Sequence, residues 1–213
     1  RITECTVETL IRDIAKGFAE EGDSVLTEDD ESTAEVLQFL SDKSGGIPAS
    51  AMEKLMGLPL FPDESAAYGT VKSSQASAAK AGMYTVQPEL RRVLGAIGYQ
   101  LLAAETQEAL KSLLRRASIS EVKLRTAIEL LELKSAKAAP LQDLKILAEL
   151  HALLAAESRE LKKHFPAQTR TGLADGNPRL CGLKIWPTKT GEVISADEAV
   201  DPGPLLQLLE KGS

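Results

Sequence analysis

Aromatic residues are scarce in this chain: Phe, Tyr and Trp together make up 4% of its 213 residues, and there is one tryptophan. That scarcity argues against a basic surface interleaved with stacking platforms, the usual device for holding single-stranded nucleic acid. There are two cysteines, Cys5 and Cys181, too few for the disulfide framework that staples small secreted domains. A reducing intracellular compartment is expected, and whether the two cysteines pair stays open. The two histidines, His151 and His164, show no paired ligand spacing with each other or with either cysteine, so no zinc motif is present and no metal or cofactor is expected. No apolar run approaches the roughly 18 residues that span a bilayer. The chain opens on Arg1 and Thr3 without an apolar leader, so a trimmed product whose targeting segment has already been removed is expected.

What is present favours helix. The chain is 43% hydrophobic, mostly Leu, Ala, Ile and Val, enough to bury a sizeable core, and Leu and Ala are favourable inside helices. The net charge of −6 conceals a split: residues 1–65 hold 15 Asp and Glu against 5 Lys and Arg, residues 66–213 hold 16 against 20. The expected fold class is mainly α: a long antiparallel helical array with a three-helix core, a small acidic helical N-terminal unit and a C-terminal β-hairpin.

Residues 1–57 form the acidic unit in this reading. Val7, Leu10, Ile11, Ile14 and Phe18 recur at three and four and define one helical face from a Thr3 cap to Glu21. Ser32-Thr33-Ala34-Glu35 has capping-box spacing and predicts a second helix. A third short element is expected over 49–56, between Pro48 and Gly57. Residues 58–87 contain Pro59, Pro62 and the small polar run Ser73 to Ala79, which predicts a linker.

Residues 88–165 carry the long-helix array. Leu90, Leu94, Ile97, Leu101 and Ala104 alternate at four and three after Pro88, and the pattern continues to Ala117. A break at Ser118-Ile119-Ser120-Glu121 leads into a second helix, and Pro140 opens a third that ends near His164. Residues 166–213 predict a loop, a hairpin of 180–186 with 192–195, and a short terminal helix at Leu205 to Leu209.

Chemical motifs are weak. Ser77-Ala78-Ala79-Lys80 and Lys189-Thr190-Gly191 have the spacing of two motifs used by serine acyl-transfer enzymes, but the intervening Ser-Asp-Asn is missing. An Ala-rich linker and a hairpin turn account for them more simply. Gly172 to Gly176, flanked by Arg170 and Arg179, approximates a phosphate-binding turn only loosely, because a strand pattern follows where a helix start is needed. The acidic run Asp29-Asp30-Glu31 lacks the alternation of a calcium loop.

By elimination the sequence points to a non-enzymatic helical scaffold or assembly subunit working through protein–protein contacts, as a homo-oligomer or with a protein partner. Leu101, Leu147, Leu154 and Trp186 are the expected interface anchors. The alternative is an oligomeric accessory factor of nucleic-acid packaging or processing, contacting phosphates through Arg91, Arg92, Arg115, Arg116, Arg170 and Arg179; residues 88–170 hold 14 Lys and Arg against 10 Asp and Glu. An enzyme whose site leaves no motif comes third.

Overall fold

A computed structural model describes residues 6–21, 30–76, 81–135, 141–157, 183–188 and 192–195. The chain is mainly helical, with small two-stranded β-elements that include a C-terminal hairpin. It divides into two units: Arg1–Arg91 with Gly98–Lys123, and Arg92–Ile97 with Leu124–Ser213. Among the described residues no helix is long and apolar enough to cross a membrane.

The first unit begins with α1 (Val7–Glu21). Thr6 caps it, its hydroxyl accepting from the Thr9 amide at 3.2 Å, while the expected cap Thr3 lies outside the described residues. The expected face is the buried one, with Ile11 and Ile14 in the core and Val7, Leu10 and Phe18 packed against it. Helix α2 (Asp30–Asp42) starts two residues before Ser32, so the expected box lies inside the helix and Thr33 is buried. A 3-10 turn (Ser44–Gly46) leads to α3 (Ala49–Met56), bounded by Pro48 and Gly57 as the sequence predicts.

Residues 58–76 are where linker and structure part. They carry strands β1 (Phe61–Pro62) and β2 (Tyr68–Gly69), which pair antiparallel, and β3 (Val71–Lys72), which pairs parallel with β4 (Met83–Tyr84). Leu60, Phe61, Val71 and Met83 are buried in one cluster with Ile11, Leu40, Leu55 and Leu113. The described helices of residues 1–57 therefore share a core cluster with this segment. Each leucine fully withdrawn from water there contributes about 2 kcal/mol. Segment 77–80, with Ser77 and Lys80, lies outside the described residues.

The helix expected from Pro88 to Ala117 is broken into pieces. A 3-10 turn (Pro88–Leu90) runs into α4 (Arg91–Ala96), which Gly98 ends at φ +80°, a left-handed stop that glycine adopts without strain. The chain then extends. Leu101 bridges Tyr84 and Leu102 bridges Asp63, so Leu101 of the apparent heptad stripe and its neighbour Leu102 are buried in extended backbone. Helices α5 (Ala104–Ala109) and α6 (Lys111–Arg116) follow, and α6 packs on α2. Ser118, at φ +56°, closes α6, the Ile119 amide reaching back to the Leu114 carbonyl at 2.9 Å.

In the second unit, α7 (Leu124–Ser135) begins just after the expected break. Helix α8 (Leu144–Ala156) is started by Asp143, whose carboxylate accepts from the amides of Lys145 and Ile146 at 2.8 and 3.4 Å. Buried apolar residues of this unit include Val93, Leu94, Leu124, Ile128, Leu131, Leu147, Leu150, Leu183 and Ile185. Strands β5 (Trp186–Pro187) and β6 (Val193–Ile194) form the hairpin, pairing Trp186 with Ile194. Pro140, His164, Lys189 to Gly191, Gly172 to Gly176, Leu205 to Leu209, Cys5 and Cys181 lie outside the described residues.

Candidate functional site

The anchors expected from the leucine stripe have separate fates. Leu101 is 3% exposed in the first unit and Leu147 1% in the second, so both side chains serve the interior of the chain and offer no surface to another. Their spacing was real, but it reported burial within the fold. Leu154 is half-buried and Trp186 is 41% exposed.

Trp186 is exposed yet held. Its ring lies 4.7 Å from that of His151 on α8, tilted by 41°, and a His151 ring nitrogen is 2.9 Å from the Ile185 carbonyl. Ile185 is fully buried, so the histidine satisfies a carbonyl that has left water and fixes the strand that presents the tryptophan. The same unit exposes Leu133 at 61% and Leu144 at 58%, while Phe39 on α2 of the first unit is exposed at 44%.

The arginines are also divided. Arg91 is almost covered: its Nε donates to Glu64 at 2.8 Å, Nη1 to the Gln107 side chain at 3.1 Å, and Nη2 to the Leu102 carbonyl. Arg92, one residue later, is more exposed and pairs with Glu149. Arg91 is consumed by a buried network and Arg92 by a surface pair, whereas Arg115 and Arg116 stand exposed at the end of α6. Arg170 and Arg179 lie outside the described residues.

The network around Arg91 escaped the sequence reading. Gln107, 9% exposed, bonds both backbone groups of Val86 and also donates to Glu121 at 3.2 Å. The signal was faint, one glutamine in a short alanine-containing helix. Beneath it, Asp63 builds the β1–β2 turn by accepting from the Ser65 amide and hydroxyl and from the Ala67 amide. Burial works to raise the Asp63 pKa, but the bonds from Ser65 and Ala67 together outweigh it and hold the carboxyl below its ordinary value. Burial pushes the phenols of Tyr84 and Tyr99 up, Tyr99 further through the nearby Tyr84 charge; the rings meet edge to face at 5.8 Å.

Cavities of about 640, 550 and 400 Å³ open in the first unit. The one of about 640 Å³ lies among α2, the β1–β2 turn and α5, and its lining includes Glu64, Glu105 and several alanines. No cluster of three metal-ligating side chains occurs among the described residues. Comparison with protein-family models, with curated proteins and with solved structures gave no match.

Proposed function

We propose that the chain is a non-enzymatic scaffold or assembly subunit that acts through protein–protein contacts, with the second unit as its docking element. One observation carries this reading: Trp186 is 41% exposed while its position is fixed from below by His151. A large rigid side chain held in the open is the kind that serves as an interface anchor, because little conformational entropy remains to be lost when a partner covers it. Leu133 and Leu144 add apolar surface on the same unit. These three replace Leu101 and Leu147 as the residues on which assembly depends.

The nucleic-acid alternative has less to stand on. Arg91 and Arg92 are already engaged by carboxylates, which leaves Arg115 and Arg116 as the exposed pair among the described arginines named for phosphate contact.

Sedimentation velocity of the wild type and of Trp186→Ala tests the proposal. Wild type is expected to self-associate, or to form a stoichiometric complex with a protein recovered from its source, and Trp186→Ala to lose that species while keeping its helical circular dichroism. A wild type that stays monomeric at high micromolar concentration and recovers no stoichiometric partner overturns it.

A further inference from the structure

Lysine is among the residues least often fully buried, yet Lys72 on β3 is 5% exposed. Its ammonium nitrogen lies 4.2 Å from the centroid of the Tyr84 ring, where the π face attracts a cation. Tyr84 holds a second anomaly. It is 1% exposed, and its hydroxyl is the one buried side-chain polar atom without a hydrogen-bond partner among the described residues. Two unusual polar groups therefore meet at the pairing of β3 with β4, in which Lys72 stands opposite Tyr84.

Lys72 also lines the cavity of about 550 Å³, together with Thr70, Ser73, Arg116 and Ser118, and Glu53 is the one carboxylate on its wall. Strand β3 and its flanks bring the first two hydroxyls. The left-handed turn at Ser118 ends α6 sharply and carries Arg116 and Ser118 to the same wall. The volume falls within the range of small-molecule sites and is far too small for a folded partner. The Ser73 hydroxyl is engaged with Ser120 at 3.3 Å, but two cations and the hydroxyls of Thr70 and Ser118 still offer more donors than the two oxygens of a carboxylate can use, whereas a phosphoryl group presents three terminal oxygens. A charge held away from water also interacts more strongly with a ligand than one on the surface.

We infer that this cavity binds a small ligand through a phosphoryl group, with Lys72 and Arg116 supplying the charge and Thr70 and Ser118 the hydroxyl donors. Glu53 opposes the ligand and limits its affinity. This site is independent of the assembly surface around Trp186.

The test is calorimetric titration of the full chain with inorganic phosphate at constant ionic strength. Wild type is expected to bind saturably, and Arg116→Gln to bind about tenfold more weakly, the loss of one charge-assisted bond. Glu53→Gln is expected to bind more tightly. Arg115→Gln, which removes the adjacent cation on the wall of a different cavity, should leave binding unchanged. Lys72→Met is expected to abolish binding; should it fail to fold, the substitutions at the exposed residues Glu53, Arg115 and Arg116 still decide. Absence of saturable binding by wild type overturns the inference, as does equal weakening by Arg115→Gln and Arg116→Gln, which would mark a diffuse charge effect.

Discussion

Gln107 and Val86 are joined by two hydrogen bonds: the Gln107 amide nitrogen donates to the Val86 carbonyl at 2.9 Å and its amide oxygen accepts from the Val86 N–H at 3.0 Å. A side chain here replaces a neighbouring strand, because Val86 is fully buried and its backbone groups need partners. The same oxygen accepts from Arg91 and the same nitrogen donates to Glu121, so one amide serves four groups. Gln107→Ala should therefore cost about 2 to 4 kcal/mol, since it leaves buried donors and acceptors unpaired. Urea unfolding would measure it. A loss within a few tenths of a kcal/mol would mean that Val86 finds other partners.

Asp63 ties together the turn between β1 and β2, and its carboxyl is held below the ordinary value. A group whose pKa is depressed in the folded state contributes stability that is present above its unfolded pKa and lost as pH falls through the folded one. Asp63→Ala should thus be less stable than wild type by about 1 kcal/mol near neutrality. The difference should shrink below pH about 4 as the wild-type carboxyl takes up its proton. Thermal melts at neutral and acid pH compare the two, and a difference independent of pH would contradict the role given to the charge.

The Tyr84 hydroxyl is buried without a partner among the described residues, while the ring beneath Lys72 does the packing. Tyr84→Phe keeps the ring and removes the unsatisfied group, so it should stabilise the first unit by about 1 kcal/mol. Chemical denaturation followed by circular dichroism would show a higher midpoint. A clear loss of stability would indicate that the hydroxyl has a bonding role in the folded protein.

The boundaries of some helices were legible because local chemistry sets them, Pro48 and Gly57 around α3 and the break near Ser118, whereas the stop at Gly98 fell inside what read as one long helix. The C-terminal hairpin was legible from the β-forming residues on either side of Pro187 and Gly191. Leu101 misled, because a four-and-three spacing produced by two short helices and an extended segment looks the same as one long stripe. The segment after Leu58 misled for the opposite reason. Two prolines and small residues read as a linker, whereas Phe61, Val71 and Met83 bury their side chains from strands only two residues long, too brief to show a period. Lys72 left no mark in the sequence and Gln107 only a faint one, since their burial depends on partners remote along the chain.

The second unit takes the short stretch Arg92–Ile97 from the middle of the first unit's sequence, and Val93 and Leu94 within it are fully buried. Replacing both by alanine should destabilise the second unit by several kcal/mol, because large-to-small changes at buried sites lose transfer free energy and leave cavities, at about 2 to 5 kcal/mol for a leucine. Trp186 is the only tryptophan and belongs to that unit, so its emission during urea unfolding reports on that unit. An unchanged Trp186 transition would show that residues 92–97 are not part of its core.

His151 and Trp186 allow a sharper test of the docking element, since the histidine both bonds the buried Ile185 carbonyl and packs against the tryptophan ring. His151→Leu retains an apolar body beside the ring but removes the hydrogen bond, leaving the carbonyl unsatisfied at a cost of about 1 to 3 kcal/mol. Because α8 has its own cap in Asp143 and its own buried leucines, Leu147 and Leu150, the helix should survive the change. The strand should then hold less firmly, and Trp186 emission should shift to the red as water reaches more of the ring. Far-ultraviolet circular dichroism should hardly change. Association that depends on a pre-positioned Trp186 should weaken in parallel, although no exposed side chain has been altered. An emission maximum identical to that of wild type, with association intact, would show that the hairpin holds the tryptophan without the histidine and that the bond to Ile185 is dispensable.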